Sequence, residues 1–563
     1  MAIVIGPAYG RRILSYVSSV ICAKQSHRLY AGSIDSSHAS QALDPRRWWT
    51  LAVLCLSLMI VIVGNSSLNV AIPTLAENLH ATNSQLQWVV AAYSLAFAGL
   101  LFTAGALGDR FGRKGALQIG LVIFLLGAAL AAASSSTPQL IACRALMGCG
   151  AAFIMPSTLS ILVNVFPPHE RTKAIAIWAA TSGGAGALGP VASGFLLGHF
   201  WYGAVFLVNV PIILIALISG RFLVPKSRDP LKAPLDPLGA VLSTIGIVSL
   251  VYGLIQAPEH GWASGSTLTA FAIAVVVLAI FVAWELHVDE PMLDMSLFRN
   301  PAFSAGSAGM ILIFMSMFGV MFLITQYFQL ILGFSPLGAS VRFLPMSPIM
   351  VIIATRTPKL AARFGAHRTV AAGMLLVATG LLMFRGLDAE TSYWYVFACI
   401  VPLTSGIAMA MSPMTASIMS AVPARRAGTG SAMNDCTREL GAALGVAVLG
   451  SLAASRYGNS IDSAISTIPA SAQAATKSSL AGALDAARGL GPADAKAVTT
   501  AASQAFVSGI HFAVTVGAAL AATAAIVVYR YLPHKATHES ATEAAEHMAE
   551  IGVGGNLPAF VNE

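Results

Sequence analysis

The chain alternates long apolar runs with short polar connections. Runs long enough to cross a bilayer begin near fourteen positions: Leu51, Leu86, Ala116, Leu140, Ala174, Val205, Leu238, Leu268, Ser304, Phe343, Thr369, Tyr395, Ser431 and Val507. A helix needs about 20 predominantly apolar residues to cross the hydrocarbon core. Because the backbone in lipid must satisfy its own hydrogen bonds, runs of this length form helices. The pattern therefore predicts an all-α integral membrane protein with about fourteen transmembrane helices.

The composition agrees with lipid as the main solvent. Of the 563 residues, 56% are hydrophobic and only 10% are charged, whereas a soluble chain has about 25% charged residues. The net charge of +8 comes from short basic clusters between apolar runs, which does not indicate nucleic-acid binding. The six cysteines have neither metal-ligand nor disulfide-framework spacing. We expect no metal site and no cofactor.

Basic residues occupy alternate connections between the apolar runs. The connections near Glu77, Ser135, Trp201 and Glu259 contain no Lys or Arg, while Arg342 and Arg385 are single exceptions. Cytoplasmic connections are enriched in Lys and Arg, so both termini are expected in the cytoplasm and the protein in the cell membrane. The basic connections contain Arg110, Arg113, Lys114, Arg171, Lys173, Arg221, Lys226, Arg228, Lys232, Arg299, Lys359, Arg363, Arg368, Arg425 and Arg426.

A short repeat divides the chain into two halves. LGDRFGRK (107–114) follows the second predicted helix, and LAARFGAH (360–367) follows the tenth. A parallel duplication with a site between its halves is a known transporter plan. The repeat predicts six-helix halves over 48–225 and 301–533, with two inserted helices in 226–300.

Three further stretches are polar enough to lie outside the membrane. Residues 456–503 are rich in Ala and Ser and are predicted to form an external loop with short amphipathic helices. Residues 1–47 and 534–563 are predicted as cytoplasmic tails. The first tail has no secretory cleavage pattern, so it is interpreted as disordered or as an over-long predicted start.

The stretch GALGDRFGRKGAL (105–117) contains the first copy of the repeat. Gly105 and Gly112 allow a tight turn and a close helix approach. Asp109 can accept hydrogen bonds from basic groups, and three basic residues can hold the loop at anionic headgroups: Arg110, Arg113 and Lys114. We call residues 105–114 the gate loop. It is either a latch whose charge pairs form in one conformation only, or a plain topology signal.

Several stretches resemble the major facilitator superfamily. The gate loop is similar to that family's loop between helices two and three, RALMGCGAA (144–152) to its fourth-helix motif, and GALGPVASG (186–194) to its fifth-helix antiporter motif. FLVNVPI (206–212) and PMLDMSLFRNPAF (291–303) resemble its fourteen-helix drug:proton antiporter branch. The resemblance covers about Trp48 to Pro533. It implies a major facilitator fold that exports drug-like compounds in exchange for protons, and so confers antibiotic resistance.

The chain departs from the pattern of that branch at three positions. The branch commonly has an acidic residue in the first helix, where this chain has Gly64. Met147 replaces the usual Gln of the fourth-helix motif, and Ser193 replaces a glycine of the fifth. The missing first-helix acid puts the usual proton-site assignment in doubt.

Arg144 lies inside the fourth predicted helix. An arginine at the bilayer centre costs about 2.5–3.5 kcal/mol on insertion scales, so it should face a cavity or a partner; the alternative is snorkelling to the nearer interface. In the fifth helix, Gly186, Gly189, Pro190 and Gly194 indicate either a bendable sealing helix or simple close packing.

Three ionisable residues interrupt the thirteenth helix within GSAMNDCTRELGAALG (430–445). Glu439 lies roughly 15 Å into the helix at 1.5 Å per residue, near the midplane of the hydrocarbon core. Asp435 shares its face, and Arg438 lies beside it. Burial disfavours an ionised carboxyl and a nearby arginine favours it, so these groups are the proton-coupling candidates. The alternative is a structural Asp435–Arg438 pair.

The substrate cavity is predicted from polar and flexible residues within the helices. Methionine side chains suit promiscuous apolar binding, although they also pack or face lipid in many proteins. The candidates are Asn65, Asn69, Met315, Phe318, Gln326 and Met409.

Other function classes lack their sequence signatures. No nucleotide-binding G-x-x-x-x-G-K-[ST] loop, metalloprotease spacing or strand-flanked nucleophile elbow occurs, so neither an ATP-driven pump nor an enzyme is expected. The sequence predicts a monomer in the lipid bilayer that exports small amphipathic substrates against protons by alternating access. The alternative is an exporter dedicated to one endogenous lipid or metabolite.

Overall fold

The computed structural model describes residues 46–227, 236–289, 291–422, 427–464 and 469–532. Most of the predicted N-terminal tail and the C-terminal tail lie outside the described residues. The same is true of Arg228, Lys232, Arg425 and Arg426.

Fourteen helices in the described parts of the chain are long and apolar enough to cross a membrane, which confirms the predicted all-α membrane fold. We number them as spans 1 to 14. Their bounds are Arg47–Ser66, Asn83–Phe111, Arg113–Ala132, Thr137–Val165, Lys173–His199, Ala204–Leu223, Pro237–His260, Gly265–His287, Pro301–Ile331, Pro336–Phe364, Ala366–Gly386, Tyr393–Ser420, Gly430–Asp462 and Pro492–Tyr531.

Polar residues define where several spans begin. Before span 2, the Thr82 hydroxyl accepts from Gln85 N at 3.3 Å, and Thr82 N donates to Gln85 Oε1 at 3.0 Å. This reciprocal cap satisfies two backbone donors that the helix itself leaves free. Asp236 caps span 7 and Asn300 caps span 9 in the same general way. The short connections therefore fix the ends of the apolar helices.

Some spans are interrupted or extended. Span 1 continues beyond Ser67 as the helix Leu68–Leu79, which ends at His80 in the left-handed conformation. Span 9 closes with a π-helical turn over Tyr327–Ile331. Span 10 consists of the two helices Pro336–Phe343 and Met346–Phe364. Non-standard turns of this kind inside helices often occur at functional sites.

Each half contains an equivalent close contact between two of its own helices. In the first half, spans 3 and 4 approach so closely that a Cβ on Gly120 would lie 2.9 Å from Gly150 O. In the second half, a Cβ on Gly373 of span 11 would lie 2.8 Å from Gly406 O of span 12. Small residues permit such contacts in membranes. The equivalence supports the parallel repeat beyond the short sequence match.

The inserted spans 7 and 8 pack on each other, and span 7 also packs against spans 2 and 13. Ser84 Oγ of span 2 donates to Ile255 O at 3.1 Å. A separate apolar cluster unites the three helices: Ala91, Leu95, Val251, Ile255, Ala443 and Ala447. Span 7 thus contacts both halves at once.

In its described part, the predicted external loop 456–503 is largely helical. Span 13 belongs to a helix that continues to Ala464, and span 14 begins at Pro492. Alanine is the strongest helix former, so the Ala-rich sequence extends both spans beyond the membrane. Between them, residues 469–491 contain the short helices Ala470–Ser478 and Leu480–Ala487. We call residues 469–491 the cap.

Candidate functional site

The gate loop is held by backbone and side-chain bonds. Gly112 ends span 2 with φ 121°, a conformation that favours glycine. Asp109 Oδ1 accepts from Arg113 Nε at 2.7 Å and from Ser160 Oγ of span 4 at 3.3 Å. Arg113 N donates to Ser227 O at 3.0 Å. The loop therefore joins spans 2, 3 and 4 to the segment after span 6.

The remaining gate-loop residues make different contacts. Lys114 Nζ donates to Arg221 O at 2.8 Å. The Arg110 guanidinium lies 5.6 Å from the ring centroid of Phe111. Gly105 lies beside span 4, where a Cβ on it would be 3.7 Å from Pro156 Cβ. The predicted charge pair is present in this conformation, at Asp109 and Arg113.

Arg144 is completely buried between spans 1, 2 and 4. Its Nε donates to Val89 O and its Nη1 to Gly64 O, both at 3.1 Å, and its Nη2 lies 3.5 Å from Asn65 Oδ1. The guanidinium also lies 4.4 Å from the ring centroid of Tyr93. This geometry excludes snorkelling, because the side chain has acceptors at depth and no exposed surface.

Gly64 occupies the first-helix position at which the drug:proton antiporter branch commonly has an acidic residue. A Cβ on Gly64 would lie 2.8 Å from Phe124 Cζ, so a larger side chain would require Phe124 to move. The Gly64 carbonyl instead serves as an acceptor for Arg144. A backbone oxygen thus replaces one acceptor that a carboxylate could supply.

Glu439 joins the two halves. Its Oε2 accepts a hydrogen bond from Ser94 Oγ of span 2 at 2.7 Å. The preceding residue of span 2, Tyr93, contacts Arg144, and Arg144 and Glu439 interact electrostatically. Consecutive residues of one helix therefore connect the buried cation of the first half with a partly buried carboxylate of the second.

Asp435 and Arg438 form a looser pair beside Glu439. Arg438 Nη1 lies 3.6 Å from Asp435 Oδ1, beyond hydrogen-bond distance. Arg438 Cζ also lies 4.9 Å from the Phe314 ring centroid. The structural pair and the proton-coupling interpretation both remain compatible with this arrangement.

Glycines of span 5 support close packing. Ser67 Oγ donates to Gly189 O at 3.0 Å. A Cβ on Gly194 would lie 2.7 Å from Pro336 O of span 10, whereas Gly186 has only a distant contact with Ile62. Pro190 lies within the continuous helix Pro168–His199. In this conformation span 5 therefore packs on both span 1 and the second half.

The predicted cavity residues do not share one environment. Asn65 contacts Arg144. Met315 is buried with its backbone against Gly445, and Met409 Cβ lies beside Gly373. Phe318 stacks with Phe314 at 6.3 Å between ring centroids. Asn69 and Gln326 are both buried. The two methionines thus have packing contacts in this conformation.

The halves are also joined towards the face opposite the gate loop. Gln329 Nε2 donates to Val70 O at 2.9 Å, and Ser451 Oγ donates to Gln87 Oε1 at 3.1 Å. Arg488 of the cap pairs with Glu77 at 3.0 Å. Together with the packing of Gly194 of span 5 against span 10, these contacts hold the halves together on that side.

Sequence reasoning missed Tyr93 and Ser94. They form a polar dipeptide in the middle of span 2, and this signal could have marked them as neighbours of buried charges. It also missed Glu285 of span 8, which is 3% exposed and accepts from Leu293 N at 3.1 Å.

Comparison with known sequences decides the family. The sequence model of the Major Facilitator Superfamily matches residues 54–446. The chain belongs to the Major Facilitator Superfamily. The resemblance predicted from the motifs is confirmed, and the chain is a multi-pass protein of the cell membrane in a superfamily of transporters.

Three relatives cover most of this major facilitator chain. It is 36% identical to the multidrug efflux pump LfrA of Mycolicibacterium smegmatis over 88% of this chain and 98% of the relative. It is 34% identical to the tetracenomycin C resistance and export protein of Streptomyces glaucescens over 87% and 92%. It is 32% identical to the methyl viologen resistance protein SmvA of Salmonella typhimurium over 82% and 93%.

Solved structures agree with the major facilitator fold. A bacterial homologue of the human lysosomal transporter Spinster, in an inward-facing and unoccupied conformation, has a TM-score of 0.60 and 17% sequence identity. The match covers 86% of this chain and 98% of that one. At this identity the likeness concerns the fold alone.

Proposed function

We propose that the chain exports amphipathic, drug-like compounds across the cell membrane in exchange for protons. Transport proceeds by alternating access, with the proton gradient as the energy source, no cofactor, and the monomer as the working unit. The names of the relatives support the substrate class, since they describe multidrug efflux, tetracenomycin C export and methyl viologen resistance.

The observation that carries the proposal is the bond between Ser94 and Glu439. It places a carboxyl group at the interface of the two halves. Hydrogen bonds to an ionised carboxylate are roughly twice as strong as neutral ones. An ionised Glu439 therefore holds span 13 against span 2, and protonation weakens this contact and its attraction to Arg144.

Arg144 and Glu439 have different tasks in this mechanism. Arg144 is enclosed by fixed acceptors of its own half, so it supplies a constant positive charge. Glu439 has one side-chain partner across the interface and supplies the variable charge. Proton binding and release at Glu439 then favour separation or closure of the halves.

The contacts on the opposite face complete the cycle. Gln329–Val70, Ser451–Gln87 and Arg488–Glu77 must break when the cavity opens to that side. The Asp109–Arg113 pair belongs to the other side and acts as a latch. Both sets of bonds are formed in this conformation, so we assign both to the access state that is closed on the face opposite the gate loop.

Glu439→Gln tests the proton site. The amide keeps the size and hydrogen-bonding capacity but cannot ionise, so we expect substrate binding without uphill transport in inverted vesicles with an imposed pH gradient. Ser94→Ala is the matched control, because it removes the bond but leaves the carboxyl ionisable, and it should retain proton-coupled transport at reduced rate. Asp435→Asn should have the smaller effect of the two carboxyl changes.

Proton release on substrate addition to the detergent-solubilised protein is the decisive measurement. Parent-like release from Glu439→Gln would place the exchanged proton elsewhere. Collapse of the pH gradient should abolish accumulation even with ATP present, and ATP-dependent uptake after the collapse would refute antiport.

The second candidate is an exporter dedicated to one endogenous lipid or metabolite. The same gate loop and buried charges would serve it. A panel of cationic, neutral and anionic amphipathic compounds separates the two, since a dedicated exporter should give gradient-dependent transport of one compound class only.

A further inference from the structure

A basic cleft lies at the gate-loop ends of spans 3 and 6. Its volume is about 590 Å³. Lys114, Arg221 and Lys226 line it, together with Ser227, Gln118 and the exposed Phe111. The lining residues in the described part of the chain include no acid. The cleft is therefore a concave site with concentrated positive charge.

The cations of the cleft are close together, and no carboxylate lines the cleft beside them among the described residues. Arg221 and Lys226 both act electrostatically on Lys114, and Lys114 Nζ donates to the Arg221 carbonyl. The nearest gate-loop carboxylate, Asp109, is occupied by Arg113 and Ser160. Mutual repulsion among these three cations would be relieved by a bound anion.

Ser227 provides a second, independent indication of a ligand. Its hydroxyl oxygen is shielded from solvent and has no hydrogen-bond partner among the described residues. A buried hydroxyl without a partner is uncommon in proteins. Ser227 lines the same cleft as the cations, and its hydroxyl, which is closed off from solvent here, would have to turn into the cleft to donate to a phosphate oxygen.

We propose that this cleft binds the phosphate headgroup of an anionic phospholipid from the adjacent leaflet. The cleft opens at the ends of two membrane spans, the level at which headgroups lie. Phe111 and Phe222 are 73% and 74% exposed beside it. Deeper in the same two spans, Ile119 and Ile218 are 54% and 62% exposed and can contact the acyl chains. Basic pockets between transmembrane helices on the cytoplasmic side are known to bind such lipids.

The position of the cleft gives the lipid a link to the gate loop. Ser227, which lines the cleft, accepts from Arg113 N through its backbone carbonyl. Lys114 belongs to both the gate loop and the cleft. A bound headgroup therefore secures the segment after span 6 against the loop that carries the Asp109–Arg113 pair.

Native mass spectrometry of the full-length, delipidated protein tests the proposal with dioleoylphosphatidylglycerol and dioleoylphosphatidylcholine as probes. The parent protein should bind the anionic phosphatidylglycerol more tightly than the phosphatidylcholine. In Arg221→Gln with Lys226→Gln that affinity should fall roughly 30-fold, since each cation near an anionic surface contributes roughly a fivefold factor. The charge-preserving Arg221→Lys with Lys226→Arg should keep it.

The second half offers the matched control. Lys359, directly before the second copy of the repeat, and Arg363, within it, are exposed basic residues. Lys359→Gln with Arg363→Gln should leave the affinity unchanged. Equal losses in both double variants, or full binding by the Arg221/Lys226 variant, would overturn the proposal. If that variant does not fold, Lys226→Gln alone decides, with a fivefold loss expected. Displacement of the lipid by inorganic phosphate alone would identify a free-anion site instead and refute the lipid assignment.

Discussion

The gate loop and its counterpart in the second half have the same backbone and different chemistry. Gly112 and Gly365 both adopt positive φ, 121° and 87°. Each donates its N–H at 2.9 Å to a carbonyl of the preceding helix, Gly108 O or Ala361 O. The first loop adds the Asp109–Arg113 pair, whereas the second has alanines at both corresponding positions, 362 and 366. The two halves share the turn, and the Asp109–Arg113 pair belongs to the first half alone.

This asymmetry assigns separate tasks to the residues of the repeat. The glycine and the apolar residues around it determine the turn in both halves. The acid accepts from Ser160 only in the first loop, where the backbone N–H of Arg113 also donates to Ser227 O. The comparison therefore predicts that backbone changes act alike in the two loops and that charge changes act only in the first.

The largest expected effect is that of Asp109→Asn. It removes a charge that accepts from both Arg113 and Ser160. A hydrogen bond to a charged group contributes about 1.5–3 kcal/mol, so export should fall roughly tenfold or more while insertion stays intact. Ala362→Asn, at the matching exposed position of the second loop, should leave export unchanged. Drug accumulation in cells with equal protein levels measures both, and normal export by Asp109→Asn would reduce the gate loop to a topology signal.

Next in size are the two glycine changes, Gly112→Ala and Gly365→Ala. A residue with a Cβ at positive φ costs about 1–2 kcal/mol, and both glycines are in that region. Thermal unfolding in detergent should show similar losses of stability in the two variants. A loss confined to one variant would show that the turns are not equivalent.

Arg113→Gln should have an intermediate effect. The Asp109–Arg113 pair is partly exposed, and such pairs contribute about 1 kcal/mol or less. Asp109 also keeps its bond from Ser160. We expect export to fall about fivefold at most, with no change for Ala366→Gln. A loss as large as that of Asp109→Asn would mean that the arginine has a further partner in another state.

The smallest effect is expected when the pair is installed in the second loop by Ala362→Asp with Ala366→Arg. Positions 362 and 366 lie on the two helices that flank Gly365, and an exposed ion pair contributes about 1 kcal/mol or less, so thermal unfolding should change slightly and export should not change. Strong inhibition of export would indicate that the second loop also separates during transport, and that its alanines are required for this movement.

The fold could be predicted because membrane helices are encoded locally. Each span needs only its own run of apolar residues, and all fourteen runs became helices in the structure. The C-terminal end of span 13 and the N-terminal end of span 14 could not be predicted in this way. The Ala-rich residues 456–464 and 492–503 are too polar to suggest a membrane helix, yet they continue the helices.

The candidate site was only partly predictable, because its contacts join distant parts of the chain. Arg144 could be selected from its unusual place in an apolar run. Its acceptors could not, since Gly64 and Val89 contribute backbone oxygens that any residue would carry. Ser94 and Glu439 are 345 positions apart, and no sequence pattern connects them. Met315 and Met409 could be selected from the sequence, but their environment could not be predicted, because a methionine side chain suits both a pocket and a packed interface.

Arg144 also constrains the order in which the protein can be synthesised. Its acceptors lie in spans 1 and 2, which leave the ribosome before span 4. The arginine therefore finds its acceptors already in the membrane, and its insertion cost of about 2.5–3.5 kcal/mol is offset as soon as span 4 enters. A circularly permuted chain that began at span 3 would produce Arg144 long before Gly64 and Val89. We therefore expect such a permuted chain to insert span 4 less efficiently than the natural chain.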